Sequence, residues 1–169
     1  DIASHAEAQE RTWAPMRKMK KRMPRRVVLH GNHEHRIGRA LDSNHTLEGT
    51  ISFRDLDFES YYDEIVPYTG QTPGSIVIDG VAYAHYFITG VSGRPISGLH
   101  PAASLNSKLH CSTTAGHLHL ADWSTSTRVD GQRINGLFCG TYQEIDSTES
   151  WAGEAANLWW SGVIVKDNV

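Results

Sequence analysis

Apolar and polar positions alternate with different periods along the chain. Residues 3–23 are rich in Ala, Glu, Arg, Lys and Met, all good helix formers. They predict a helix with Ser4 as N-cap, Pro15 as a break or new start, and Pro24 as the stop. The run Val27-Val28-Leu29 then predicts a short buried strand over residues 25–30, feeding Gly31. A helical turn or two is expected over residues 34–41. Leu56, Phe58, Tyr61, Tyr62 and Ile65 mark residues 53–65 as a second helical region, ended by Pro67.

The second half reads as strands. Residues 75–79 and 81–86 flank Asp79-Gly80, the strongest short hairpin signal in the chain. A Gly- and Ser-rich loop over 90–98 leads to a short helix over 101–109 and a β-prone segment over 111–115. Asp130-Gly131 joins strands over 124–129 and 133–139, and residues 158–165 supply a last apolar strand. The expectation is a largely antiparallel second half and a mixed first half. The sequence shows no internal repeat and no low-complexity tract.

At 169 residues with 39% apolar content, the chain has the length of one domain over 1–169 and enough apolar residues for a core. No apolar run approaches the roughly 18 to 20 residues of a membrane span, and no basic-then-apolar leader opens the chain. No membrane partner and a cytoplasmic setting are therefore expected, the host cytoplasm if the gene is phage-borne. Cys111 and Cys139 are too few for a disulfide framework and too far apart for a zinc knuckle, so both are expected to be reduced and buried.

The net charge of −3 hides an asymmetry. Arg11, Arg17, Lys18, Lys20, Lys21, Arg22, Arg25 and Arg26 make up half of the sixteen Lys and Arg. Such clustering suits a nucleic-acid footprint, and it suits equally a solvated helix face.

Polar side chains that can bind metals follow one apolar run and one β-prone segment. Gly31-Asn32-His33-Glu34-His35-Arg36 comes directly after Val27-Val28-Leu29, and Gly116-His117-Leu118-His119 comes after residues 111–115. Open α/β sheets keep their chemistry at strand ends of this kind, and glycine lets the backbone turn there. Asn32, His33, His85, His117 and His119 carry oxygen and imidazole donors suited to borderline divalent metals. Any one of these histidines alone would be an ordinary loop or core residue; their arrangement is what points to a shared metal site.

Gly31-Asn32-His33-Glu34, the lone histidine of Tyr83-Ala84-His85-Tyr86, and Gly116-His117-Leu118-His119 stand in the order found in the calcineurin-like metallophosphoesterases. Over residues 1–169 the chain resembles the phage-type and bacterial phosphoesterases of that superfamily. The resemblance extends to Ile37 after the first motif, to Ser92-Gly93-Arg94-Pro95 after the lone histidine, and to the Trp159-Trp160-Ser161-Gly162-Val163 ending.

The resemblance implies an α/β fold, a four-layer α/β/β/α sandwich with mixed sheets that here lacks its first strands. It also implies a centre of two divalent ions, Mn²⁺ foremost, with Fe, Zn or Ni as alternatives. Asn32, His85 and His117 would hold one ion and His119 would belong to the other. His33 would face the substrate phosphate as general acid, with Glu34 orienting it. Two metals neutralise charge on a phosphate ester and acidify a water, and a positioned imidazolium protonates the leaving oxygen, typically worth about 10² to 10⁴ in rate. The implied activity is hydrolysis of a phosphomonoester or phosphodiester, with nucleic acid or a nucleotide as favoured substrate. A phosphoprotein phosphatase would use the same motifs.

The family's Asp-x-His and Gly-Asp-x-x-Asp motifs do not occur in the chain. Asp1-Ile2-Ala3-Ser4-His5 resembles the tail of the second of these, which suggests that the polypeptide begins inside it and is a piece of a longer enzyme. A non-catalytic scaffold of the same fold and a polyanion-binding fragment are the rival readings. Arg36 and Arg94 are candidates to meet a substrate phosphate through bidentate hydrogen bonds, and His5 is a weaker candidate for the cleft. His30, His45, His100 and His110 have no spacing partner. Glu144, Asp146 and Glu149 show no sign of the opposed pair that glycoside chemistry needs. Trp159 and Trp160 read as packing residues rather than a base-stacking platform.

Overall fold

The computed structural model describes residues 2–19, 22–143 and 150–167. Asp1, Lys20, Lys21, Glu144, Asp146 and Glu149 lie outside them. The architecture is mixed α/β. The sequence predicts one domain over 1–169; by its own packing the chain divides into two compact units, Asp1–Gln71 and Thr72–Val169.

In the first unit α1 (Ile2–Lys18) precedes β1 (Val27–Leu29) and α2 (Asn32–Ser43). Pro15 neither breaks nor restarts α1, and Ser4 lies inside the helix rather than at its cap. Pro15 forfeits the one bond its amide would make four residues back, and the helix runs on for only three residues beyond it. The helix also stops well short of Pro24. α2 is longer than expected and begins at Asn32, because Glu34 reaches back to the Gly31 amide and supports the first turn.

Residues 53–65 do not form one helix. A 3-10 turn (Phe53–Leu56) and a single turn, α3 (Phe58–Tyr61), are separated by Asp57 in left-handed backbone (φ 47°). Ile65 instead lies on β2 (Glu64–Val66), which pairs in parallel with β1. The β-branched pair Ile65-Val66 fits a strand beside Val28-Leu29, and this pairing outweighs the local helical spacing. A two-residue β3 (Tyr68–Thr69) follows.

The core of this unit is small and aromatic. His30 is buried, its ring 4.8 Å from that of Phe58 and 4.9 Å from that of Phe53. His5 sets its edge on Phe58 at 5.1 Å, and Tyr62 donates its hydroxyl to Gln9 at 2.8 Å. At the surface Arg26 grips Asp63 through a guanidinium fork at 2.9 and 3.1 Å, and Arg25 pairs with Glu64. With Arg17 bonded to Glu10 at 3.0 Å, three members of the basic run have acidic partners.

The second unit holds β4 (Thr72–Pro73) and a five-stranded sheet: β5 (Ser75–Ile78), β6 (Val81–Ala84), β7 (Ser112–Ala115), β8 (Ala121–Thr127) and β9 (Arg133–Cys139), in the order β5-β6-β7-β9-β8. The expected hairpin forms, with Asp79 and Gly80 both at positive φ as a type I′ turn requires. The sheet is mixed rather than largely antiparallel. β6, β7 and β9 run parallel, because α4 (Pro101–Leu109) carries the chain from β6 over the sheet to β7, a crossover that only parallel strands need.

α4 packs on β7, β8 and β9. Ala102, Leu105, Ala115, Phe138 and Ile96 form the core beneath it. Gly136 allows the close approach, since a Cβ there would sit 2.3 Å from the Ala102 carbonyl oxygen. Pro101 opens the helix, Asp122 of β8 accepts from the Ala102 amide at 2.8 Å, and Asn106 donates to the Ser124 carbonyl at 2.9 Å.

The final strand expected over 158–165 is absent among the described residues. Ser150–Leu158 is 3-10 helical with a kink at Gly153, and the chain beyond makes one isolated bridge, Thr141 to Ser161. Its apolar side chains join no ladder: Val163 and Val165 are exposed, and Lys166 ties the segment down through Tyr83 and Thr114. Cys111 and Cys139 are free as expected, but half-buried rather than buried. Burial raises the Cys139 thiol above its ordinary pKa. Among the described residues no helix is long and apolar enough to cross a membrane.

Candidate metal centre

Asn32, His33 and Glu34 occupy the first turn of α2, immediately after His30 and Gly31 leave β1. Gly31 is buried, extended at φ −109° and serves as N-cap. Glu34 accepts from the Gly31 amide at 2.7 Å, so its carboxylate braces the turn on which Asn32 and His33 stand. His33 itself is exposed. His35 stacks on Tyr68 with ring centroids 4.5 Å apart, which fixes the rotation of α2 about its axis. Burial lowers the pKa of His30, with Glu34 opposing the shift, so the ring beneath this loop favours its neutral form.

Arg36, one turn further along, is exposed and lines an open cleft with Arg39 and Asp42. Arg94 lies exposed in the loop after Gly93 of the second unit. His5 belongs to the aromatic packing around Phe58.

The second unit brings two predicted ligands together. His85 leaves the C-terminal end of β6 and His117 follows the C-terminal end of β7, strands that are parallel neighbours. The register pairs Ala84 with Ala115, and the Gly116 amide donates to the His85 carbonyl at 3.0 Å. Adjacent parallel strands therefore deliver both imidazoles to the same edge. His117 Nδ1 and His85 Nε2 stand 3.2 Å apart, with the rings crossed at 73°. Tyr86 packs on His117 at 4.7 Å.

That separation suits an N–H···N hydrogen bond. It also matches the roughly 3 to 3.4 Å between two nitrogens that share one metal at about 2.1 Å. The spacing of the two nitrogens is thus compatible with either arrangement. Among the described residues, however, no group of three or more His, Cys, Asp or Glu is gathered closely enough to hold an ion by itself.

His117 and His119 both adopt left-handed backbone, at φ 70° and 62°. For residues with a Cβ this costs on the order of 1 kcal/mol each. Leu118 donates to the Gly116 carbonyl at 2.8 Å, so the loop is a chain of tight turns rather than an open arc. The His119 ring meets the indole of Trp159, edge to face, at 4.4 Å.

Sequence reasoning missed Tyr86 as a neighbour of His117, and it assigned Trp159 to general packing. Tyr86 was legible in principle, being the residue after a predicted ligand. Nothing local in the sequence signals that Trp159, forty residues downstream, meets His119. Comparison with protein-family models, with curated proteins and with solved structures gave no match.

Proposed function

We propose that the chain carries the His-rich part of a two-metal phosphoesterase centre of the calcineurin-like type, on a four-layer α/β/β/α sandwich, and that its chemistry is hydrolysis of a phosphate ester. The observation that carries this reading is the 3.2 Å approach of His117 Nδ1 to His85 Nε2 at the ends of two parallel strands. The left-handed His117 and His119 add support, because backbone strain of this kind clusters at functional sites.

His85 and His117 would hold one divalent ion, Mn²⁺ foremost, and His119 would serve the second. When bound, the ions supply positive charge to the phosphate and an activated water. The chain's own residues do the rest. The exposed ring of His33 stands on the first turn of α2, where the helix dipole favours an approaching anion and where an imidazolium can pass its proton to a leaving oxygen. Glu34 keeps that turn intact through the Gly31 amide. Arg36 and Arg94, both exposed, are available to a phosphate. Nucleic acid or a nucleotide is the favoured substrate class.

The test is Mn²⁺ binding by calorimetry together with Mn²⁺-dependent hydrolysis of bis-p-nitrophenyl phosphate. Substituting His85→Ala or His117→Ala should weaken Mn²⁺ by at least about 100-fold, the upper end of what even an outer-sphere partner contributes. In any form with turnover, His33→Ala should lower the rate while leaving Mn²⁺ affinity in place. A wild-type chain that binds no divalent metal, or binding indifferent to both histidine substitutions, overturns the assignment.

A further inference from the structure

The loop that carries His117 and His119 is latched by a segment forty residues further along. The Trp160 amide donates to the His119 carbonyl at 2.8 Å, and the Trp160 carbonyl accepts from the Thr141 amide at 2.8 Å. The Gly162 amide closes the set by donating to the Thr141 carbonyl at 2.9 Å. Strand β9 ends at Cys139, so Gly140 and Thr141 are the first residues beyond it, and the Gly140 amide donates to the Leu120 carbonyl at 3.0 Å. His119, Leu120, Gly140, Thr141 and Trp160 thus form one backbone-bonded layer.

Two glycines make that layer possible. A Cβ on Gly140 would lie 2.4 Å from the Trp160 carbonyl oxygen and 2.5 Å from its indole Cε3, and Gly140 is left-handed at φ +72°. A Cβ on Gly162 would lie 2.6 Å from Cη2 of the same indole. The Trp160 ring is therefore flanked by two positions that only glycine fills at this distance. The seating of Trp160 in turn aims its neighbour, Trp159, at the His119 ring: centroids 4.4 Å apart, planes at 78°. An edge-to-face contact of this kind has a defined geometry.

We propose that Trp159 is a positioning residue for the metal-binding loop: its indole, aimed by the Trp160 latch, holds His119 and the left-handed turn of residues 116–119 in the form that presents His117 to His85. The inference rests on the reading of these histidines as metal ligands. Trp159 touches no metal or substrate; it acts through His119. Because Trp159 lies against the His119 ring, a transition-metal ion held by this loop would quench its emission, which would report loading.

The experiment compares the wild-type chain with Trp159→Ala, Trp159→Phe and His117→Ala. Mn²⁺ affinity is read by calorimetry, Mn²⁺ quenching of tryptophan emission by fluorescence, and folding by circular dichroism. Trp159→Ala should weaken Mn²⁺ roughly tenfold or more, as loss of ligand-orienting partners does, whereas Trp159→Phe, which keeps an aromatic ring on His119, should stay within about threefold. The Mn²⁺-dependent quench of the wild type should largely vanish in Trp159→Phe, although four other tryptophans remain.

Unchanged affinity in a folded Trp159→Ala, or a full quench persisting in Trp159→Phe, overturns the positioning role. If Trp159→Ala does not fold, the quench comparison in the Phe variant decides alone. Wild-type binding that His117→Ala abolishes but Trp159→Ala leaves intact defeats the positioning role and spares the metal reading. A wild type that binds no Mn²⁺, or His117→Ala that binds as well as wild type, defeats both.

Discussion

The two glycine-histidine loops look alike in sequence and are built in opposite ways. After β1 the chain passes through Gly31 straight into α2, so Asn32 and His33 sit on regular helical backbone whose first turn is braced by Glu34. After β7 the chain does not enter a helix. It folds through Gly116, His117 and His119 in tight turns, two of these residues left-handed, and a remote tryptophan segment holds it there. One loop is stabilised locally by a cap; the other depends on contacts far away in sequence. Their surroundings differ in the same sense. The first unit rests on a small aromatic cluster and surface ion pairs, the second on a covered apolar core under α4.

The sharpest way to break this contrast is at Gly140. Gly140→Ala places a Cβ against Trp160 in left-handed backbone, and the expected loss is about 2 to 3 kcal/mol, the upper part of the usual range for overpacking. Urea unfolding should register it, and the same variant should weaken Mn²⁺ because His119 loses its latch. If stability and Mn²⁺ affinity both survive, the second loop is less dependent on the tryptophan segment than its bonding suggests.

A smaller effect is expected at the cap of the first loop. Glu34→Ala should cost about 1 kcal/mol, while Glu34→Gln, which can still accept from the Gly31 amide, should cost only a few tenths. Thermal melts of the two variants check this. Equal losses would mean that the carboxylate charge near His33, rather than the cap, is what matters.

The smallest effect concerns the ion pairs of the first unit. Arg26 bonds hold the Asp63 carboxyl down at about 2, against 3.8 for the free group. A depressed carboxyl contributes stability that is present above the unfolded value and is lost as pH falls through the folded one. The pair should therefore help at pH 4 and above and fade between pH 4 and 2. Asp63→Asn should flatten that part of the stability profile by a small amount, since the pair is exposed and salt-screened. A profile unchanged by the substitution would remove Asp63 from the account.

Several elements were legible because a few adjacent residues decide them. The Asp79-Gly80 hairpin follows from two residues able to take positive φ, and α4 from its opening proline and apolar spacing. Elements decided at longer range were not. Ile65 has helical spacing with Phe58 and Tyr61, yet it pairs with Val28. Residues 158–165 have the apolar content of a strand, yet no neighbouring strand edge bonds them in a ladder, and single amides fix them to Thr141 and His119.

The candidate site divides along the same line. The sequence by itself determined which residues carry donors, in what order, and that glycines stand before them, because side-chain chemistry and glycine's conformational freedom are local properties. Only the tertiary structure decided that His85 and His117 approach to 3.2 Å, since this follows from parallel pairing and register of β6 and β7. It alone seated Trp159 on His119. Hydrogen-bond register and ring packing join residues tens of positions apart, and no local pattern of apolar and polar residues encodes such distances.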